Sequence, residues 1–124
     1  MTETPVRIAE PVIAINLNQT YKQGINADDL YDCTRGIWRL SREHAEKAHY
    51  AFAVYQSVIR EVYEIEQWLP AGSTTYQRRH FTPKHLQNRY EFLGKVAPKA
   101  VREQYVGRHM PEPSSQNPIR YYNC

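Results

Sequence analysis

The chain has 124 residues, of which 41% are hydrophobic and 23% are charged, values typical of one globular domain with a modest core. A mean hydropathy of −0.73 and the lack of any apolar run near ~18 residues argue against a transmembrane helix. The opening letters MTETPVRIAEP do not have the basic-then-apolar pattern of a secretion signal, so we expect a cytoplasmic protein that does not bind membranes.

The net charge of +3 conceals an asymmetry. Residues 1–77 carry 7 Lys and Arg against 10 Asp and Glu, whereas residues 78–124 carry 9 against 3. A basic second half favours ligands that bear phosphate groups. The two cysteines, Cys33 and Cys124, lack the paired spacing of a zinc site or a disulfide framework, so we expect free thiols.

The first part of the chain predicts one strand and two short helices. Residues 1–10 are expected to be flexible, and the β-branched segment 11–17 reads as a strand. Asn26, with Asp29 three residues later, predicts a capped helix over 27–33 that ends at Gly36. Ser41 predicts a second capped helical turn.

The middle of the chain predicts a β-hairpin. Apolar residues alternate from 48 to 68, and Gln56-Ser57 within this run is a two-residue connection between two strands. Residues 69–74 are expected to stop the second strand. Residues 74–87 are polar and basic, which is typical of a loop.

The last third predicts a strand over 89–97, a helix over 99–106 that begins after Pro98, and a final strand over 117–123. The chain therefore predicts a small α+β domain over residues 11–124, with a curled, mostly antiparallel sheet, a short N-terminal helix and a C-terminal helix.

The sequence offers little evidence for an enzyme. It contains no GxSxG elbow, no GxxxxGK[ST] phosphate loop and no GxGxxG motif. His44 and His49 bracket the letters AEKA, but a spacing of five does not place two imidazoles on one helical face. We therefore predict no catalytic residue, no metal and no cofactor.

Arginines alternate with aromatic residues in three segments, RGIWR, RYEF and IRYY. An aromatic face beside a guanidinium can stack a base and hold a phosphate at the same time. The alternative is that these rings fill the core, namely Trp38, Phe92 and one of Tyr121 and Tyr122. Arg60 lies in a strand between apolar residues and requires a partner, either Glu91 on the next strand or a ligand phosphate.

Six segments spread over the chain carry a resemblance to a known family: NLNQTY, LYDCTRGIWRLS, AFAVYQSVIREVYEIEQWLPAG, RYEFLGKVAP, REQYVGR and QNPIRYYNC. The chain resembles the Thoeris anti-defence sponge family of phages. The resemblance implies a viral sponge in the bacterial host cytoplasm that evades immunity by sequestering a cyclic ADP-ribose type signal, or a cyclic oligonucleotide, without cleaving it.

The resemblance also implies pockets shared between subunits of a homo-oligomer, a dimer or a hexamer. A chain of this size can hardly enclose a dinucleotide alone, which favours the same expectation. The residues that match the roles of the family's pocket are Arg60, Phe92, Arg120, Asn117 and Arg108.

A second resemblance is to PUA-like small barrels that read modified bases in DNA or RNA. The order of the predicted elements and the letters GIW before a hairpin carry it. It implies an aromatic cage that accepts one flipped base, with the basic second half along the phosphate backbone.

Overall fold

A computed structural model describes residues 6–17, 24–74, 83–111 and 118–124. The strands are β1 Val12–Asn16, β2 Gly36–Trp38, β3 Tyr50–Tyr55, β4 Val58–Pro70, β5 Tyr90–Val96 and β6 Ile119–Tyr122. The helices are α1 Ala27–Arg35, α2 Arg42–Lys47, α3 Pro83–Leu86 and α4 Lys99–Tyr105.

The strands form one sheet in the order β2-β5-β4-β3-β1-β6. β1 runs parallel to β3, and the other neighbouring pairs are antiparallel. The sheet curls into a half-barrel. The predicted α+β class with a mostly antiparallel, curled sheet is therefore confirmed.

Local capping accounts for the first two helices. The Asn26 side chain accepts a hydrogen bond from the Asp29 backbone N–H at 2.8 Å, and the Ser41 hydroxyl accepts one from the His44 N–H at 3.4 Å. Each bond satisfies a backbone donor that the helix itself leaves without a partner. Both predicted caps are confirmed, and α1 ends where Gly36 takes an extended conformation.

The predicted hairpin is also confirmed. Gln56 and Ser57 have φ angles of 51° and 62°, the left-handed conformation that a two-residue turn between twisted strands requires. β4 continues to Pro70, which agrees with the predicted stop at residues 69–74, and β5 pairs with its second half.

Alternation along the strands produces a core on each face of the sheet. One face, which we call the α4 face, carries buried residues that pack with Tyr105 of α4: Val12, Ala14, Phe52, Val54, Ile59 and Val62. The opposite face, which we call the α1 face, packs with Leu30 of α1 and carries Ile13, Ile15, Ala51, Ala53, Tyr63, Trp68 and Phe92.

Two elements were not predicted. β2 has three residues and pairs with β5, which lies more than fifty positions away in the sequence. No local sequence pattern therefore predicts β2. α3 lies inside the predicted loop 74–87, of which residues 75–82 are outside the described residues. Val6, within the segment expected to be flexible, is buried, and its N–H donates to the His109 carbonyl at 2.8 Å.

Two further observations on the described residues concern the cysteines and the length of the helices. Cys33 and Cys124 are free thiols. No helix in the described ranges is both long enough and apolar enough to cross a membrane.

Gly94 is the position on β5 where a side chain is least tolerable. A Cβ atom there would overlap the Glu64 carbonyl oxygen of the neighbouring strand. We expect Gly94→Ala to lower the free energy of unfolding by roughly 1–3 kcal/mol, because the backbone of two paired strands must separate. Urea denaturation measures the change. Lys95→Ala, at the exposed neighbouring position, is the control and should change stability by less than about 0.5 kcal/mol; an equal loss in the two variants would contradict the steric explanation.

Candidate functional site

Arg60 lies in a β-bulge near the start of β4. Ala53 pairs with Glu61 and Val54 pairs with Ile59, which leaves Arg60 as the extra residue. Its Nε and Nη2 donate to the Tyr55 carbonyl at 3.3 and 3.1 Å, and its guanidinium carbon lies 5.6 Å from the centre of the Tyr55 ring. The bulge therefore places the Arg60 guanidinium against the Tyr55 ring at the turn end of the hairpin.

The Glu91 alternative for the partner of Arg60 is wrong. Glu91 is fully buried and its Oε2 lies 3.3 Å from Nη1 of Arg35. Arg35 is the last residue of α1. No local pattern in the sequence predicts that it lies near Glu91.

Arg108 lies beside Arg60. The Ile59 N–H donates to the Arg108 carbonyl at 2.9 Å, and the Gly107 N–H donates to the Ile59 carbonyl at 2.8 Å. The backbone after α4 thus runs alongside the first residues of β4, and the Arg108 side chain is exposed there. The structure therefore brings two of the predicted arginines to one rim of the sheet, at the turn end of the hairpin.

Arg120 lies at the other rim. It is half-buried on β6 and pairs with Ala14 of β1. β6 is three strand positions away from β4, a separation of roughly 14 Å across a flat sheet. Within one subunit, Arg120 and Arg60 therefore lie at separate rims of the sheet and do not meet.

Phe92 corresponds to the core-filling alternative. It is fully buried, and its ring centre lies 5.3 Å from that of Trp68 and 6.2 Å from that of Tyr31. Neighbouring rings occupy its surroundings, so it offers no open surface to a ligand. Asn117 lies outside the described residues.

Sequence analysis missed a group of buried polar atoms on the α4 face. Asn16 Oδ1 and the hydroxyl oxygens of Tyr105 and Tyr122 are buried and have no hydrogen-bond partner among the described residues. Leaving such a group without a partner costs about 1–3 kcal/mol. Native proteins rarely accept that cost without a bound molecule, a water or a function to explain it.

The strand register places these residues on one face of the sheet. Ala14 lies between Phe52 of β3 and Arg120 of β6. Asn16 lies two residues after Ala14 on β1, and Tyr122 pairs with Val12, two residues before it, so the two flank Ala14 on the same face. The Tyr105 ring packs on Phe52 with ring centres 4.8 Å apart. One cation and three polar groups without partners are thus spread over about 13 Å along the strands of this face.

The electrostatics of Tyr122 link it to Arg120. Burial raises the pKa of the Tyr122 hydroxyl, and the positive charge of Arg120 lowers it in part. The hydroxyl therefore stays protonated at neutral pH and can donate or accept a hydrogen bond. Together with the guanidinium, it suits a ligand that is anionic and also carries polar hydrogen-bonding groups.

Comparisons with known proteins add no family to this geometry. No family model matches the chain, and neither the curated proteins nor the solved structures provide a match. Among the residues that the structure describes, no group of three or more His, Cys, Asp or Glu side chains could hold a metal ion.

The unpartnered hydroxyl of Tyr105 generates a stability prediction. Tyr105→Phe should leave the free energy of unfolding unchanged or raise it, because the substitution removes a buried group that has no hydrogen bond to lose. Tyr31→Phe is the matched control, since the Tyr31 hydroxyl accepts a bond from the Gly94 N–H at 3.0 Å, and it should lose about 1 kcal/mol. Urea denaturation of the two variants distinguishes them; a larger loss in Tyr105→Phe would show that this hydroxyl is bonded.

The buried carboxylate of Glu91 generates a second stability prediction. Glu91→Ala should lower the free energy of unfolding by roughly 3–5 kcal/mol, because it leaves the buried Arg35 with too little compensating charge. Glu46→Ala removes the exposed partner of Arg42, at 2.8 Å, and should cost at most about 1 kcal/mol. Chemical denaturation checks the difference, and similar losses would mean that the Arg35 network contributes no more than a surface pair.

Proposed function

We propose that the chain is a non-enzymatic nucleotide-binding protein that sequesters a cyclic nucleotide signal of the cyclic ADP-ribose type and so blocks host antiphage immunity. The proposal combines the family resemblance of the sequence with one structural observation. The sheet has arginines at both rims, and its α4 face carries Arg120 together with polar groups that have no partner among the described residues.

A cyclic nucleotide requires each of these chemistries. Its phosphates need cations, and Arg60 and Arg108 lie at one rim while Arg120 lies at the other. Its ribose hydroxyls and base edges need hydrogen-bond donors and acceptors, which Asn16 and Tyr122 possess. A polar group that is already desolvated costs less to pair with a ligand than one that must first lose water.

Tyr55 supports the proposal in the role that sequence analysis gave to Phe92. It is half-buried, and the Arg60 guanidinium is held beside its ring. A base that stacks on Tyr55 would lie within reach of a cation for its phosphate, the pairing that favours nucleotides over other anions.

Binding without cleavage is consistent with the side chains of this face. Guanidinium and amide groups bind phosphate but are not nucleophiles at neutral pH. The raised pKa of Tyr122 keeps its hydroxyl protonated and therefore a weak nucleophile. The function would then consist of affinity alone.

The span between the rims supports a shared pocket. Ligand sites bury most of the surface of a small molecule, and Arg120 is three strand positions from β4. A second copy of the chain would complete the enclosure, so we propose a homo-oligomer in which each pocket takes residues from two subunits.

Thermal denaturation in the presence of cyclic ADP-ribose isomers, cyclic dinucleotides and cyclic trinucleotides tests the function, because a ligand that binds the native state raises Tm. A large shift with one small cyclic nucleotide, recovered intact after heating, supports it. The alternative, a PUA-like reader of modified bases, predicts a shift with a modified-base oligonucleotide that falls steeply with added salt. A shift with the oligonucleotide and none with any of the cyclic nucleotides would overturn the proposal.

The arginines of both rims make the proposal specific. Arg108→Ala and Arg120→Ala should weaken binding about 10- to 100-fold, the loss of one charged hydrogen bond. Arg60 also bonds the Tyr55 carbonyl, so Arg60→Lys tests its head group while keeping its charge. Arg39→Ala, at an exposed position after β2, is the control. Isothermal titration with the ligand found by thermal shift measures the effect; equal affinity in Arg120→Ala and the parent would remove Arg120 from the site.

A further inference from the structure

The indole N–H of Trp68 is a further buried polar group that lacks a partner among the described residues, and it lies on the α1 face. Trp68 is 6% exposed, and its Nε1 has no hydrogen-bond partner among the described residues. The contrast is Trp38, whose Nε1 donates to the Thr34 carbonyl at 2.8 Å. An indole N–H can only donate, so its missing partner is an acceptor.

The surroundings of Trp68 are aromatic. Trp68 pairs across the sheet with Phe92, and their rings are 5.3 Å apart at 64°. Two residues along the same strands, Pro70 pairs with Tyr90, which also pairs with Trp38 of β2. We call these four rings, Phe92, Trp68, Tyr90 and Trp38, the aromatic row.

Two helices lie over different parts of the aromatic row. Tyr31 of α1 contacts Phe92 with ring centres 6.2 Å apart. Arg42 of α2 places its guanidinium carbon 6.0 Å from the centre of the Tyr90 ring. Tyr90 and Trp38 remain half-buried, so this part of the row retains some contact with solvent.

We propose that the half-buried end of the aromatic row, Tyr90 and Trp38, binds a planar heterocycle of nucleobase size that carries a carbonyl group, with Trp68 Nε1 donating to the carbonyl oxygen. Aromatic rings supply stacking surface for a planar ligand. The buried N–H selects for an acceptor, because a ligand without one leaves that donor unpaired. This site lies on the opposite side of the sheet from Arg120 and the unpartnered polar groups of the α4 face, and it does not depend on them.

Tryptophan fluorescence reads this site directly, because the chain has two tryptophans and both belong to the aromatic row. Inosine and adenosine form a matched pair of probes, since inosine has a carbonyl where adenosine has an amino group. Excited at the red edge of the indole band, the full chain should respond saturably to inosine, and to adenosine at least about tenfold more weakly. No response to inosine, or equal affinity for the two nucleosides, would overturn the proposal.

Trp68→Phe keeps a ring and removes the N–H. Its Tm should equal or exceed that of the parent, while its affinity for inosine, read by Trp38, falls about tenfold to that for adenosine. Trp38→Phe removes the other indole and its bond to Thr34, so its Tm falls and its affinity for both nucleosides should fall with the smaller ring, while Trp68 alone reports binding and inosine should still bind more tightly than adenosine. Unchanged preference in Trp68→Phe would refute the role of the N–H. Arg120→Ala should leave these responses intact, which separates this test from that of the proposed function.

Discussion

The buried ion pair between Arg35 and Glu91 is the interaction on which the arrangement of one half of the sheet depends. Arg35 is 4% exposed and Glu91 is fully buried. One Glu91 oxygen accepts a hydrogen bond from the Gly72 N–H at 2.8 Å. The other oxygen accepts hydrogen bonds from the Arg35 guanidinium and from the Thr74 hydroxyl. Asp32 adds a second carboxylate, 3.2 Å from Arg35 Nε. The carboxylate thereby joins the end of α1, strand β5 and the turn after β4.

Removing these charges from water is costly, and the cost is offset only when each charge has well-placed partners. The network satisfies that condition with bonds from three separate segments, so it can form only when all three have assembled. It also fixes the junction between α1 and β2, where Trp38 begins its contact with Tyr90. The geometry of the aromatic row is therefore a consequence of a polar network that lies next to it.

The two faces of the sheet combine apolar packing with buried polar atoms in the same way. Each has a close-packed apolar core, and each contains buried polar atoms that have no partner among the described residues. Such atoms reduce stability, and proteins tend to retain them where a ligand or a water molecule completes the bonding. The sheet itself separates the two faces, which allows one small domain to carry two chemically different surfaces.

The sequence by itself determined the elements whose signals are local. Side-chain caps at Asn26 and Ser41, alternation through β3 and the turn at Gln56-Ser57 depend on residues within a few positions of one another, and each was predictable. The class of the fold followed from their order. Tertiary structure decided what depends on distant pairing: the strand β2, the choice of Arg35 over Arg60 as the partner of Glu91, and the burial of Phe92 among other rings. It also decided which polar groups have no partner, because burial and bonding are properties of the packed chain. Arg60 and Arg108 were identifiable as basic residues from the sequence, but only the bulge in β4 and the backbone pairing after α4 bring them to one rim.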